Sequence, residues 1–100
     1  MTIYEHRDSI TAISGAVASL SLKVPGGLLR DVLIRANTAT TLFRANLQDS
    51  NSVVRQDYAF HRGEIHDTAI TLPIQGQWSV NIANASADDT FQVVLGIQES

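Results

Sequence analysis

No cysteine occurs anywhere in this sequence. That excludes disulfides, thiolate nucleophiles and zinc–thiolate sites together, and it leaves the redox compartment open. Long apolar runs are missing too, so no stretch approaches the roughly 20 residues of a membrane-spanning helix. Lysine occurs once, at Lys23, and the arginines (Arg7, Arg30, Arg35, Arg44, Arg55 and Arg62) are scattered. With a net charge of −3, the lack of a basic cluster argues against a nucleic-acid footprint. Charged residues make up only 17% of the chain, and Ser, Thr, Asn and Gln take their surface places. Few lysines with arginine retained is the bias of surfaces that meet other proteins. The segment Met1–Asp8 carries charge where a signal peptide needs an apolar region, so the expectation is a chain used as synthesised, without Sec export.

What is present is alternation. Trp78, Val80 and Ile82 alternate with Ser79, Asn81 and Ala83, the period of a strand with one dry face. After the polar stretch 84–89 the period resumes as Phe91, Val93, Leu95 and Ile97. Residues 72–97 therefore read as a hairpin or a Greek-key pair. Upstream, Ala18, Leu20, Leu22 and Val24 form another apolar row, which Pro25-Gly26-Gly27 is expected to end. Residues 28–37 fit either a short helix or a strand; the strand is preferred because the neighbours are strands. Phe43, Ala45 and Leu47 precede Asp49-Ser50-Asn51-Ser52, the strongest turn in the chain. Val54, Gln56, Tyr58 and Phe60 follow on one face, making 42–60 a second hairpin. Thr68, Ile70, Leu72 and Ile74 complete the set, with Pro73 marking a sheet edge or strand end.

Seven or eight short strands in 100 residues predict one all-β domain, a single antiparallel β-sandwich of jelly-roll type. Residues 1–14 read as an N-terminal arm or edge strand, with the sandwich domain spanning 15–100. Trp78 lies on an apolar row and is expected to anchor the core.

The segment Leu72-Pro-Ile-Gln-Gly76-Gln-Trp78-Ser-Val80-Asn-Ile82, followed by Asp89-Thr90-Phe91, resembles the closing motif of proprotein-convertase P-domains and pre-peptidase C-terminal domains. In those families a leucine, a Gly-x-Trp and an alternating strand precede a turn and the last strand. Phe43-Arg-Ala-Asn-Leu47-Gln-Asp49-Ser-Asn-Ser-Val53 is loosely similar to the hairpin before that closure. The resemblance implies a jelly-roll fold. It does not carry over calcium binding or processing, because the acidic ligands lack equivalents and Ala87-Asp88-Asp89 replaces a glycine-rich turn. In overall character the chain also resembles small bacteriophage virion proteins such as capsid decoration proteins.

Candidate chemistry is thin. His61, Glu64 and His66 are suitable ligand types for a metal, but their spacing matches no motif and a solvated loop over 61–67 accounts for them. Asp88-Asp89 supplies too few oxygens for calcium and reads as a turn. No Gly-x-Ser-x-Gly and no phosphate-binding loop is present. The expectation is a protein that is not an enzyme, holds no cofactor or metal, and contacts neither nucleic acid nor membrane. Its expected partners are itself, as a homo-oligomer with a trimer favoured, and a larger protein lattice such as a capsid. The setting is the virion, or the cytoplasm where the chain is made. Tyr4, Val17, Leu29, Leu33 and Val94 are the candidate interface residues, the last four being apolar at second-face positions. A carbohydrate- or ligand-binding module is the alternative, with Tyr58, Phe60 and Trp78 as its stacking residues.

Overall fold

The computed structural model describes residues 3–99 and contains strands without helices among them. The strands are β1 (Ile3–Ala12), β2 (Val17–Ala36), β3 (Leu42–Gln48), β4 (Val54–Arg62), β5 (Glu64–Asp67), β6 (Leu72–Ala83) and β7 (Asp89–Glu99). They form one antiparallel sheet in the order β1-β7-β2-β6-β3-β4, with β5 also paired to β2.

The sheet becomes two layers through β2. This strand runs for 20 residues, about four times the usual strand length. Its first half pairs with β6 from Val17↔Ala83 to Val24↔Gly76. Its second half pairs with β7 from Gly27↔Glu99 to Ala36↔Phe91, and carries β5 on its other side. Between the halves, the register shifts across Val24/Gly27 and again across Leu29/Asp31. Pro25-Gly26-Gly27 therefore does not end the strand as expected. It bends it, since a bulge accommodates a residue without a donor and increases local twist. A Cβ at Gly27 would lie 2.4 Å from the Gln98 carbonyl oxygen, so only glycine lets β7 approach here.

The two layers face each other across an apolar core. Phe43 of β3 meets Phe91 of β7 edge to face, with ring centroids 4.8 Å apart, although these strands share no backbone pairing. Around this pair lie Ile34, Leu47, Ile65, Ile74, Val80, Ile82, Leu95 and Ile97, all fully buried. Trp78 is buried as expected, and its indole N–H donates to the Gln75 carbonyl at 3.1 Å, which gives a buried polar handle its partner. Beside the Phe pair, Tyr58 of β4 donates its hydroxyl to Asp67 of β5 at 2.9 Å. Burial, then the Asp67 carboxylate, push the Tyr58 phenol well above its ordinary range.

Other expectations are corrected by this topology. Strands β6 and β7 do not form a hairpin with each other, because β2 lies between them. The strand preferred for residues 28–37 is borne out as far as Ala36. Residues 61–67 are not a polar loop: β4 reaches Arg62 and β5 begins at Glu64. Gly63 turns between them at φ +77, where a Cβ would meet the Ala39 carbonyl oxygen at 2.5 Å. Residues 3–12 are a ten-residue edge strand paired throughout with β7, not a detached arm. The hairpin over 42–60 is present, closed by Asp49, whose Oδ1 accepts the backbone N–H groups of Asn51 and Val53.

Candidate interaction surface

The outer face of the β2–β6–β3–β4 layer is built by inversion of the core pattern. Phe43, Ala45 and Leu47 point inward, so Arg44, Asn46 and Gln48 point out. Pairing then aligns them in cross-strand rows. One row runs Val17, Ala83, Arg44; the next runs Ser19, Asn81, Asn46, Asp57; a third runs Ser21, Ser79, Gln48, Val54.

The middle row is a hydrogen-bonded ladder. Asn81 donates through Nδ2 to Asn46 Oδ1 at 3.1 Å and to Ser79 Oγ at 3.2 Å, and its Oδ1 accepts from the Ser19 hydroxyl. Gln48 adds a bond to Asn46 Oδ1 at 3.2 Å. Asn81 is only 7% exposed, although it alternates with Val80 and Ile82 and so lies on the face away from the core. Polar groups that satisfy one another lose little when a partner covers them.

Apolar groups sit around the ladder. Val17 is 67% exposed, Phe60 54% and Val54 47%. Phe60 was expected to share a face with Tyr58. An extra β4 residue opposite Arg44 breaks the alternation, pairing Phe43 with His61 but Ala45 with Tyr58. That bulge turns Phe60 outward, and the Arg44 guanidinium lies over its ring at 5.8 Å, a cation–π distance. Arg44 also approaches Asp57 at 3.6 Å. The surface thus joins exposed apolar groups, one aromatic–arginine stack and a hydrogen-bonded amide ladder centred on Asn81.

The expected interface residues fall in different places. Val17 belongs to this face. Leu33 and Val94 face one another across β2 and β7 on the outer side of the other layer, both half-buried. Leu29 is fully buried, because the bulges on either side of it turn it into the core. Tyr4 is half-buried and packs against the core, opposite Ile97. Its hydroxyl is shielded and has no hydrogen-bond partner among the described residues; burial, then Glu99, raise its pKa.

The proposed metal ligands are each engaged separately. His61 Nδ1 lies 2.8 Å from the Ala59 carbonyl, and Glu64 accepts from Arg35 at 2.9 Å. His66 Nε2 stands 3.2 Å from Asp31 Oδ1, off the line of a hydrogen bond, so that oxygen is shielded without a hydrogen-bond donor among the described residues. Among the described residues, no three His, Asp or Glu side chains group to hold a metal ion. Asp31 also lines a groove of about 610 Å³ with Ile3, Glu5, Arg30, Thr68, Gly96 and Gln98. Asp88 and Asp89 serve the loops. Asp88 accepts the Ser14 N–H at 2.7 Å, and Asp89 accepts from Thr38, Thr41 and Thr90. Burial pushes the Asp89 carboxyl up, but the Thr41, Thr38 and Thr90 donors outweigh it and hold its pKa below the ordinary value.

Chain path and core define an all-β, β-sandwich-like protein. No family model and no curated protein matches the chain. Among solved structures it is similar to FlhE, with a TM-score of 0.59 and 15% identity over 99% of this chain and 100% of that one. It is also similar to PliG of Aeromonas hydrophila, a periplasmic inhibitor of g-type lysozyme, with a TM-score of 0.50 and 11% identity over 96% of this chain and 86% of that one. A carbohydrate-binding module, CBM36, overlaps at a TM-score of 0.43 and 10% identity, covering 98% of this chain and 100% of that chain. At such identities the likeness is one of fold. Among the described residues no helix is long and apolar enough to cross a membrane.

Proposed function

We propose that this protein is a non-enzymatic interaction module that docks on another protein through the outer face of its β2–β6–β3–β4 layer. The observation that carries this is the juxtaposition of exposed Val17, Val54 and Phe60 with a hydrogen-bonded ladder centred on Asn81. Covering such a face removes apolar area from water, at about 25 cal/mol per Å², while the Asn81 amide keeps its partners within the ladder. An aromatic and an arginine in contact are the residue types that concentrate binding energy at interfaces. PliG is by its name an inhibitor of another protein, g-type lysozyme, so this chain path is compatible with a role exerted on a protein. In its finer form the reading has the protein lattice of a virus particle as the partner, with this chain as a decoration protein.

The test compares immobilised wild type with a Val17→Asp/Phe60→Ala double variant of unchanged melting temperature. The expected result is a protein retained by the wild type and lost from the variant. Equal retention by both overturns the assignment to this face. For the finer form, the chain should sediment with purified particles in a density gradient and be released by the same double variant.

A second reading, a carbohydrate-binding module, draws on exposed Phe60 on the same face as Asn46, Gln48 and Asn81. Its expected platform has shrunk, since Trp78 and Tyr58 are buried and Arg44 covers one face of the Phe60 ring. Binding on a glycan array that Phe60→Ala abolishes would promote this reading over the first.

A further inference from the structure

Strand β1 is the end of the sheet order, and among the described residues no strand pairs with its outer edge. Ten residues long and paired on one side only, it presents backbone donors and acceptors that another strand can complete. Edges of this length are ordinarily protected by charge. Here the charges alternate in sign along one face: Glu5 and Arg7 point outward two residues apart and pair with each other within the strand.

We propose that the protein forms a two-fold homodimer by antiparallel pairing of β1 with β1 of a second copy, in the register that sets Glu5 of each copy opposite Arg7 of the other. The register follows from charge complementarity, because in β1 only an axis at His6 sets an acidic residue opposite a basic one. Residues directly opposite in an antiparallel pair share a face, so a two-fold axis that continues the sheet must pass through a residue. An axis at Glu5 sets Glu5 against itself, an axis at Arg7 sets Arg7 against itself, and an axis at Asp8 does the same with Asp8. Like charges in that position are destabilising. An axis at His6 sets the two imidazoles against each other, groups with no fixed charge, and gives Glu5 opposite Arg7 twice, with Tyr4 opposite Asp8 and Ile3 opposite Ser9. The existing Glu5–Arg7 pairs become a square of alternating charge, and Ile3, 59% exposed, gains a neighbour. The sheet then runs continuously through β2-β7-β1 of both copies. Edge pairing of this kind uses the same patch on both copies and closes at two, so it gives a dimer where the sequence favoured a trimer. It also leaves the Val17–Phe60 face open, and so stands independently of the docking role.

Sedimentation equilibrium and native mass spectrometry of the full chain test this, with circular dichroism confirming that each variant folds. The wild type is expected to dimerise with a dissociation constant that rises with salt, because the charge pairs are solvent-exposed. Arg7→Glu and, separately, Glu5→Arg should each weaken the dimer by about tenfold or more, since each turns two attractive pairs repulsive. The Glu5→Arg/Arg7→Glu double reversal should restore it. A monomeric wild type at about 200 μM, which sits well above the micromolar range of modest affinities, overturns the proposal. So does a dimer indifferent to both single reversals, or a folded double reversal that stays monomeric.

Discussion

Two single residues show how differently the same chemistry reads inside and outside this core. Trp78 is buried with its N–H satisfied by Gln75, so Trp78→Ala should cost about 3–5 kcal/mol in chemical denaturation. Unchanged stability would place the ring on the surface. Asp89 offers a test through pH. Its folded pKa is lowered by the Thr41, Thr38 and Thr90 donors, so its stabilising contribution is present above the unfolded value of about 3.9 and lost as pH falls through the folded value. Asp89→Asn should therefore melt below the wild type at neutral pH, and the gap should narrow as pH drops below about 4. A gap constant between pH 2 and pH 7 would contradict that sign. The place of Trp78 was legible from its apolar row, whereas the role of Asp89 was not. The Asp88-Asp89 pair read as a turn, and the structure shows which donors make Asp89 the tie between the 37–41 loop and β7.

At the level of elements, the bends matter more than the runs. Gly63 sits at φ +77 with the Ala39 carbonyl 2.5 Å from a built Cβ, so Gly63→Ala combines backbone strain with a backbone clash. A loss of about 1–3 kcal/mol from the strain alone is expected, read from the urea midpoint. Gly27→Ala meets the Gln98 carbonyl oxygen and should loosen β2 from β7, seen as faster amide exchange over 94–98 with β6 less affected. The strands themselves were legible from period two. Rows such as Leu22–Val24, Phe43–Leu47 and Phe91–Ile97 are buried as the alternation implied. What alternation could not show is where it breaks. The β4 bulge that sends Phe60 out and Tyr58 in depends on how β4 registers against β3, and one added residue reverses every later side chain. Pro25-Gly26-Gly27 likewise has the composition of a terminator; it acts as a bend because β2 has a new partner waiting beyond it.

For the whole molecule, the pairings join distant parts of the chain: β1 with β7 places Ile3 against Gln98, and β2 is held by both β6 and β7. Loop-closure entropy must be met before such contacts form, so folding should be slow, in the millisecond-to-second range of all-β domains, as stopped-flow fluorescence of Trp78 would report. A microsecond phase carrying the full amplitude would refute this. The same topology decides the fate of the N-terminus. Ile10 and Ala12 are buried, and Tyr4 packs on the core, so removing residues 1–12 should abolish cooperative unfolding, where loss of an arm would leave it intact.

The sequence by itself determined the class of architecture, the composition of the core and the position of the 49–52 turn, because these depend on side-chain period and local backbone chemistry. Tertiary structure alone decided that β2 would serve both layers, that Leu29 would be interior, that Asn81 would join Ser19, Asn46 and Ser79, and that His61, Glu64 and His66 would stay apart. Those outcomes are set by which strands become neighbours and in what register, and period two is the same for every pairing.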